Sequence, residues 1–150
     1  MIWVSVVLRR TVEMVNEYEL YLEASTRGYH AYFKDATVYI GEILFCELEP
    51  DNQHSKYAVV VKNEDDSIVG HVPAELSKIF NKFLSEYGKI EAECIGNRFN
   101  KGRGNGLELP VDYRLVGNAR YLKKLLKELQ EKNTESNYNW KLSTVQKCRV

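Results

Sequence analysis

Apolar and polar residues alternate along several short stretches of this chain and recur every three to four residues along two longer ones. Ile90, Ala92 and Cys94 alternate against Glu91 and Glu93, and Leu107, Leu109, Val111, Tyr113 and Leu115 alternate after a glycine-rich loop. A period of two marks strands with one face in a core. Pro110 interrupts the second run and implies an edge or a bulge there, because proline donates nothing to a ladder. Tyr57–Val61 and Ile68–Val72 are aromatic and β-branched, and Lys62–Ser67 between them has the composition of a turn, so the pair reads as a β-hairpin. Tyr39–Leu48 reads as a longer strand that is apolar at both parities, with Ile43 and Phe45 on one and Leu44, Cys46 and Leu48 on the other. That implies burial on both faces or a bend between sheets. Ile2–Leu8 is a further strand-like run, and Thr11–Leu22 fits either a helix or a strand.

The helical period belongs to two segments. Over Pro73–Tyr87, the residues Leu76, Ile79, Phe80, Phe83, Leu84 and Tyr87 form one apolar stripe. Pro73 suits the first turn and Gly88 a left-handed C-cap. After Gly117, Asn118 can cap a second helix whose stripe is Tyr121, Leu122, Leu125, Leu126 and Leu129, with Lys123, Lys124 and Lys127 outside. Several short strands around a central helix predict a mainly β fold with helices: a small antiparallel barrel, OB-like or SH3-like, with one packed central helix and a C-terminal helix. The expected organisation is a barrel over 28–117, an N-terminal extension over 1–27, the second helix over 118–133 and a mobile tail over 134–150, where periodicity fades.

With 150 residues, 44% hydrophobic and 28% charged, the chain has the composition of one soluble domain. Its 21 basic and 21 acidic side chains cancel, so no whole-protein field draws it to nucleic acid or membrane, and any such site is local. Three widely spaced cysteines, Cys46, Cys94 and Cys148, make neither a disulfide framework nor a metal pattern. Cys46 and Cys94 read as core residues. Met1–Leu8 is too short to span a bilayer and lacks the basic start of a signal peptide. The expected location is intracellular, nuclear or cytoplasmic.

No phosphate-binding P-loop, nucleophile elbow or metal-spaced His/Cys cluster occurs, so no catalysis and no cofactor are expected. Asp65 and Asp66 read as solvated turn residues. His30, His54 and His71 lack a ligand spacing, and no metal is expected. Binding features stand out instead. A polar loop, Pro50–Lys56, and the Gly70-His71 pair both adjoin strands able to place them. The loop from Gly96 to Gly106 carries Arg98, Lys101 and Arg103 around Phe99 with no acid, which suits either a nucleic-acid backbone or a solvated hairpin loop.

Asn52, His54, Tyr57-Ala58-Val59 and Val69-Gly70-His71-Val72-Pro73 resemble the HIRAN domain family, together with Gly28-Tyr29-His30, Tyr39-Ile40-Gly41-Glu42 and Gly106-Leu107-Glu108-Leu109-Pro110. The resemblance runs from about Gly28 to Gly117. It implies a compact barrel related to OB-folds and, from relatives within helicase-like enzymes, binding of the 3′ end of single-stranded DNA. Carried over by position, Tyr39 and Gly41 border the pocket, Asn52, His54, Ser55 and Lys56 line it, and His71 approaches a phosphate. The chain departs from those relatives at Val38, where they have a stacking tyrosine, and at His54, where they have tyrosine. It departs again at Ser55, where the family has aspartate for the 3′-hydroxyl, and at Ala74, where they have lysine. The partner implied is single-stranded DNA or another nucleic acid. The alternative is a protein-interaction or regulatory module that kept the fold without the DNA-end contacts. The polar loop is equally readable as a hairpin corner in which Asn52 and His54 bond backbone.

Overall fold

The computed structural model describes residues 17–28, 37–86, 88–100 and 106–149; the strand expected at Ile2–Leu8 lies outside them. Strands β1 (Tyr18–Arg27), β2 (Ile43–Leu48), β3 (Val59–Lys62), β4 (Ile68–His71), β5 (Lys89–Cys94) and β6 (Glu108–Gly117) form the wall. The order is β4-β3-β2-β5-β6-β1, all antiparallel, and Arg27 of β1 pairs back to His71 of β4, which closes the sheet into a barrel. Helix α1 (Ala74–Ser85) follows β4, and helix α2 (Ala119–Ser136) follows β6.

Period-two residues supply the inner wall: Leu20 and Leu22 of β1, Leu44 and Cys46 of β2, Ile90, Ala92 and Cys94 of β5, and Leu109, Val111, Tyr113 and Leu115 of β6 are buried. The stripe of α1 plugs this barrel with Leu76, Ile79, Phe80 and Phe83. Phe80 meets Tyr113 edge to face at 5.0 Å, and the Tyr113 hydroxyl, deep in the core, donates to the Ser25 carbonyl at 2.6 Å. Burial pushes the Cys46 thiol up, so it stays protonated as a small core residue. Asn118 caps α2 by accepting from the Tyr121 amide, and Leu122, Leu125 and Leu129 face the core.

Several expectations change. Tyr18–Arg27, placed in an N-terminal extension from sequence, pairs with β6 along its whole length. The helical reading of Thr11–Leu22 fails over its described part, because Leu20 and Leu22 alternate inward from a strand. The helix α2 runs on to Ser136. The segment read as a mobile tail returns to the barrel as β7 (Lys141–Leu142) and β8 (Gln146–Lys147), both paired with β1. Trp140 anchors it: the indole is buried, Tyr138 stacks on it at 4.6 Å, and the Asn133 amide bonds both its N–H and its carbonyl at 3.0 Å. Pro110 lies in the middle of the sheet, between β5 and β1. Its carbonyl accepts from Ile95, just past Cys94, the last paired residue of β5, so the bond that proline cannot return is lost where the β5 ladder ends and not in its middle. Strand β2 begins only at Ile43, and Ile43 and Phe45 are half-exposed, so just its Leu44 and Cys46 face is buried. Gly88 is fixed by proximity: a Cβ there would lie 2.4 Å from the Phe83 ring. Among the described residues, no helix is long and apolar enough to cross a membrane.

Two positions test this architecture. A Cβ on Gly70 would sit 2.6 Å from the Arg27 carbonyl oxygen, a backbone atom held in the closing ladder. Gly70→Ala is expected to cost about 1–3 kcal/mol by forcing that seam apart, read as a lower denaturant midpoint. On the outer face, Glu23, Asp112 and Glu93 lie side by side across β1, β6 and β5. Partial burial, then the charges of Glu23 and Glu93, raise Asp112 from 3.8 to about 6, and its Oδ1 has no hydrogen-bond partner. A carboxyl whose folded value is raised contributes stability below 3.8 and loses it as pH rises through about 6. Asp112→Asn is therefore expected to gain about 1–2 kcal/mol at neutral pH, after discounting for solvent screening, with the gain vanishing below the ordinary aspartate range in pH-dependent unfolding.

Candidate functional site

The loop between β2 and β3 is built around Asn52. Its Oδ1 accepts from the amides of His54 (2.8 Å) and Ser55 (3.0 Å), and its Nδ2 donates to Glu49 Oε1 at 2.5 Å. An asparagine holding the backbone two and three residues on is a local turn device. Ser55 Oγ accepts from the Tyr57 amide at 3.1 Å, and the Glu49 amide closes the loop on the Ala58 carbonyl at 3.0 Å. Asn52 thus spends its polar atoms inside the loop and acts as a positioning residue, while His54 and Ser55 are presented outward and exposed.

Glu49 gave no signal in the sequence, yet it links the loop to β4. Its Oε1 receives Asn52 and lies 3.0 Å from His71 Nε2. Burial pushes its carboxyl up, but the hydrogen bonds from Asn52 and His71 outweigh this and hold it below the ordinary value. One carboxylate oxygen therefore fixes both the loop and the imidazole.

These elements enclose a cavity of about 400 Å³. Asn52, His54 and Ser55 form one side, His71 the floor with Val72, and Ala74, Ser77 and Lys78 of α1 the other side. The start of α1 thus opens at the cavity; the Leu76 and Ser77 amides both bond the Pro73 carbonyl, so it is the helix dipole that favours an anion there. Lys78 stands one turn after Ala74 on the same wall, so the helix supplies a cation there even though position 74 does not. Tyr57 is a further lining residue outside the expected set. The Lys56 and Lys78 ammonium groups lie 5.1 and 5.5 Å from its ring centre, close enough for cation–π attraction.

The remaining candidates gather elsewhere. Tyr39 and Arg98 line a second concavity of about 530 Å³ with Val38, Ile40, Gly96 and Asn97. Tyr39 is 69% exposed. Gly41 adopts φ +92° in the turn before β2, with nothing within 4 Å of a built Cβ, so backbone conformation and not close approach requires glycine. Lys101 and Arg103 lie outside the described residues, as does His30. Among the described residues no group of three or more His, Cys, Asp or Glu is arranged to hold a metal.

The HIRAN domain profile matches residues 20–119, two-thirds of the sequence and all of the barrel wall except the first two residues of β1. The chain belongs to the HIRAN domain family. As a HIRAN domain it is similar in fold to the crystal structure of the HIRAN domain of human HLTF (TM-score 0.62, 21% identity, 77% of this chain and 92% of that one). It is similar to the NMR structure of the HLTF HIRAN domain in its DNA-bound conformation (TM-score 0.61, 21% identity, 82% and 97%). A crystal structure of a protein from Lactobacillus plantarum shares the fold more distantly (TM-score 0.51, 10% identity, 68% and 99%). No curated protein matches the chain. The match begins at residue 20, inside β1, so the HIRAN barrel takes in a strand that the resemblance read from sequence left out.

Asn52→Ala removes the acceptor of two loop amides and is expected to cost about 1–2 kcal/mol in denaturant unfolding. Glu49 is lowered in the folded state, so its contribution is complete above 4.5 and is lost as pH falls through its folded value. Across that acid range the native protein is expected to lose only the part of its advantage over Asn52→Ala that comes from the Asn52–Glu49 bond, while the part from the two loop amides persists.

Proposed function

We propose that this chain is a non-catalytic nucleic-acid-binding module that takes the end of a single strand in the cavity between the Asn52 loop and the start of α1. The observation carrying this reading is the convergence of His54, Ser55, His71 and Lys78 on one cavity at a helix N-terminus. Imidazole offers a stacking face and a hydrogen bond, and lysine and the helix start favour phosphate. The related HLTF domain has a DNA-bound conformation with this fold, which supports the assignment. Tyr39 and Arg98 line a separate concavity that shares no residue with this cavity, so the reading of the strand end does not draw on them.

Ser55 sets the end chemistry. Its hydroxyl accepts from the Tyr57 amide and keeps a proton to donate, but it has no charge. A carboxylate at this place would accept from a 3′-hydroxyl and repel a 3′-phosphate. The native protein is therefore expected to separate the two ends only weakly, and Ser55→Asp to favour the hydroxyl end by about 1–3 kcal/mol. Fluorescence anisotropy with two labelled oligonucleotides on both proteins decides this. Strong hydroxyl selectivity by the native protein would move the end-recognising role away from Ser55.

A protein-interaction module is the second reading. Tyr39, Ile40, Ile43, Phe45 and Ile95 are large apolar side chains exposed around the start of β2 and the end of β5. Exposed apolar groups of this size are common at protein contacts. Absence of oligonucleotide binding by both proteins would favour it.

A further inference from the structure

The two helices leave a groove of about 340 Å³ between them. Its polar rim is Lys78 and Lys82 from α1 and Lys124 and Lys132 from α2, against a single carboxylate, Glu128. None of the four lysines forms an ion pair among the described residues, although Lys62, Lys89 and Lys141 elsewhere do. In a chain whose charges cancel, this is a local concentration of unpaired positive charge.

Its position gives it a meaning. Lys78 lines both this groove and the cavity holding His54, Ser55 and His71. The two concavities therefore adjoin, with one ammonium at the junction. Tyr121 packs on Phe83 at 5.6 Å, so the start of α2 lies beside the end of α1 and the groove follows α1 away from the cavity. Lys78 and Lys82 are one turn apart, about 6 Å along the helix, and Lys124 and Lys132 are about 12 Å apart along theirs. The apolar floor, Ile79 and Leu125, offers no competing acceptor.

We propose that the groove between α1 and α2 is the track for the phosphate backbone of the strand whose end occupies the cavity, with Lys78 at the junction and Lys82, Lys124 and Lys132 as phosphate contacts along the groove. This rests on the end-binding reading and extends it: affinity grows with strand length along the helices. Charge complementarity selects the occupant, because a polyanion of regular spacing fits two rows of unpaired lysines.

The test compares a trinucleotide with a single-stranded dodecamer by anisotropy across a salt series, using the full chain, its Lys82→Gln/Lys124→Gln variant and a His54→Ala cavity variant. Each lost phosphate contact on a single strand removes about 0.7 from the slope of log K against log salt. The Lys82/Lys124 variant is expected to lower the dodecamer slope by about 1.4 and its affinity about 25-fold at 0.1 M salt, while leaving the trinucleotide unchanged. His54→Ala is expected to weaken both probes. If the dodecamer and trinucleotide bind but neither responds to the lysine substitutions, the track is overturned and the cavity reading stands. If neither probe binds the native chain, the cavity reading fails and the track falls with it. If the variant loses affinity for a poly-glutamate peptide but not for the dodecamer, the groove belongs to an acidic protein and the proposal is wrong. Unchanged circular dichroism melts keep these outcomes free of folding effects.

Discussion

The barrel depends on what happens at Arg27. Its backbone makes the pair with His71 that closes the sheet, and its side chain ties the seam to two further elements. The guanidinium makes a bidentate pair with Glu75 in the first turn of α1, at 2.6 and 2.7 Å, and a third bond to Glu108 of β6 at 3.1 Å. Ser25 adds a fourth bond to the same Glu108 oxygen at 2.7 Å. Glu108 is fully buried, and its other oxygen has no partner. Burial penalises the guanidinium, but the two carboxylates outweigh that penalty and hold it charged. A buried charge left without its partner costs several kcal/mol, so Arg27 and Glu108 hold each other in place. Gly70 completes the seam, because only a residue without Cβ lets β4 lie against the Arg27 carbonyl.

The candidate site follows from that closure. His71 sits on the seam, and α1 begins three residues later at Ala74, so the barrel's closing point sets both the floor and the helical wall of the cavity. Glu49 and Asn52 then fasten the loop to the floor through one carboxylate oxygen. The polar loop is thus a hairpin corner and a cavity wall at once: Asn52 and the backbone supply the structure, and His54 and Ser55 face the cavity. Two readings that compete in the sequence are divided here between different side chains of the same loop.

Neutral overall charge conceals a divided surface. Carboxylates line up across β1, β6 and β5 on the outer face of the barrel, and Glu23 and Glu93 add to the burial that raises Asp112. The unpaired lysines collect on the helices, beside the cavity. Such separation allows a local attraction for phosphate without a long-range field.

The sequence by itself determined the barrel class, the stripe of α1, the Asn118 cap and the cysteines of the core, because each is a local pattern whose period or capping chemistry repeats in the structure. It also picked out His54, Ser55 and His71, whose neighbours match a family. Tertiary structure alone decided the rest. Tyr18–Arg27 joined the barrel because β6 pairs with it residue for residue, a long-range fact that no local period carries. The end of the chain became ordered because one tryptophan found a buried place and Asn133 bonded its backbone on both sides. Pro110 lies in a central strand because β5 stops one residue short of it. Glu49 and Lys78, one a polar residue before a loop and the other a lysine on a helix, are ordinary in sequence. Only folding brings the first onto His71 and the second to the edge of two concavities, since residues gain such roles from neighbours distant in the chain.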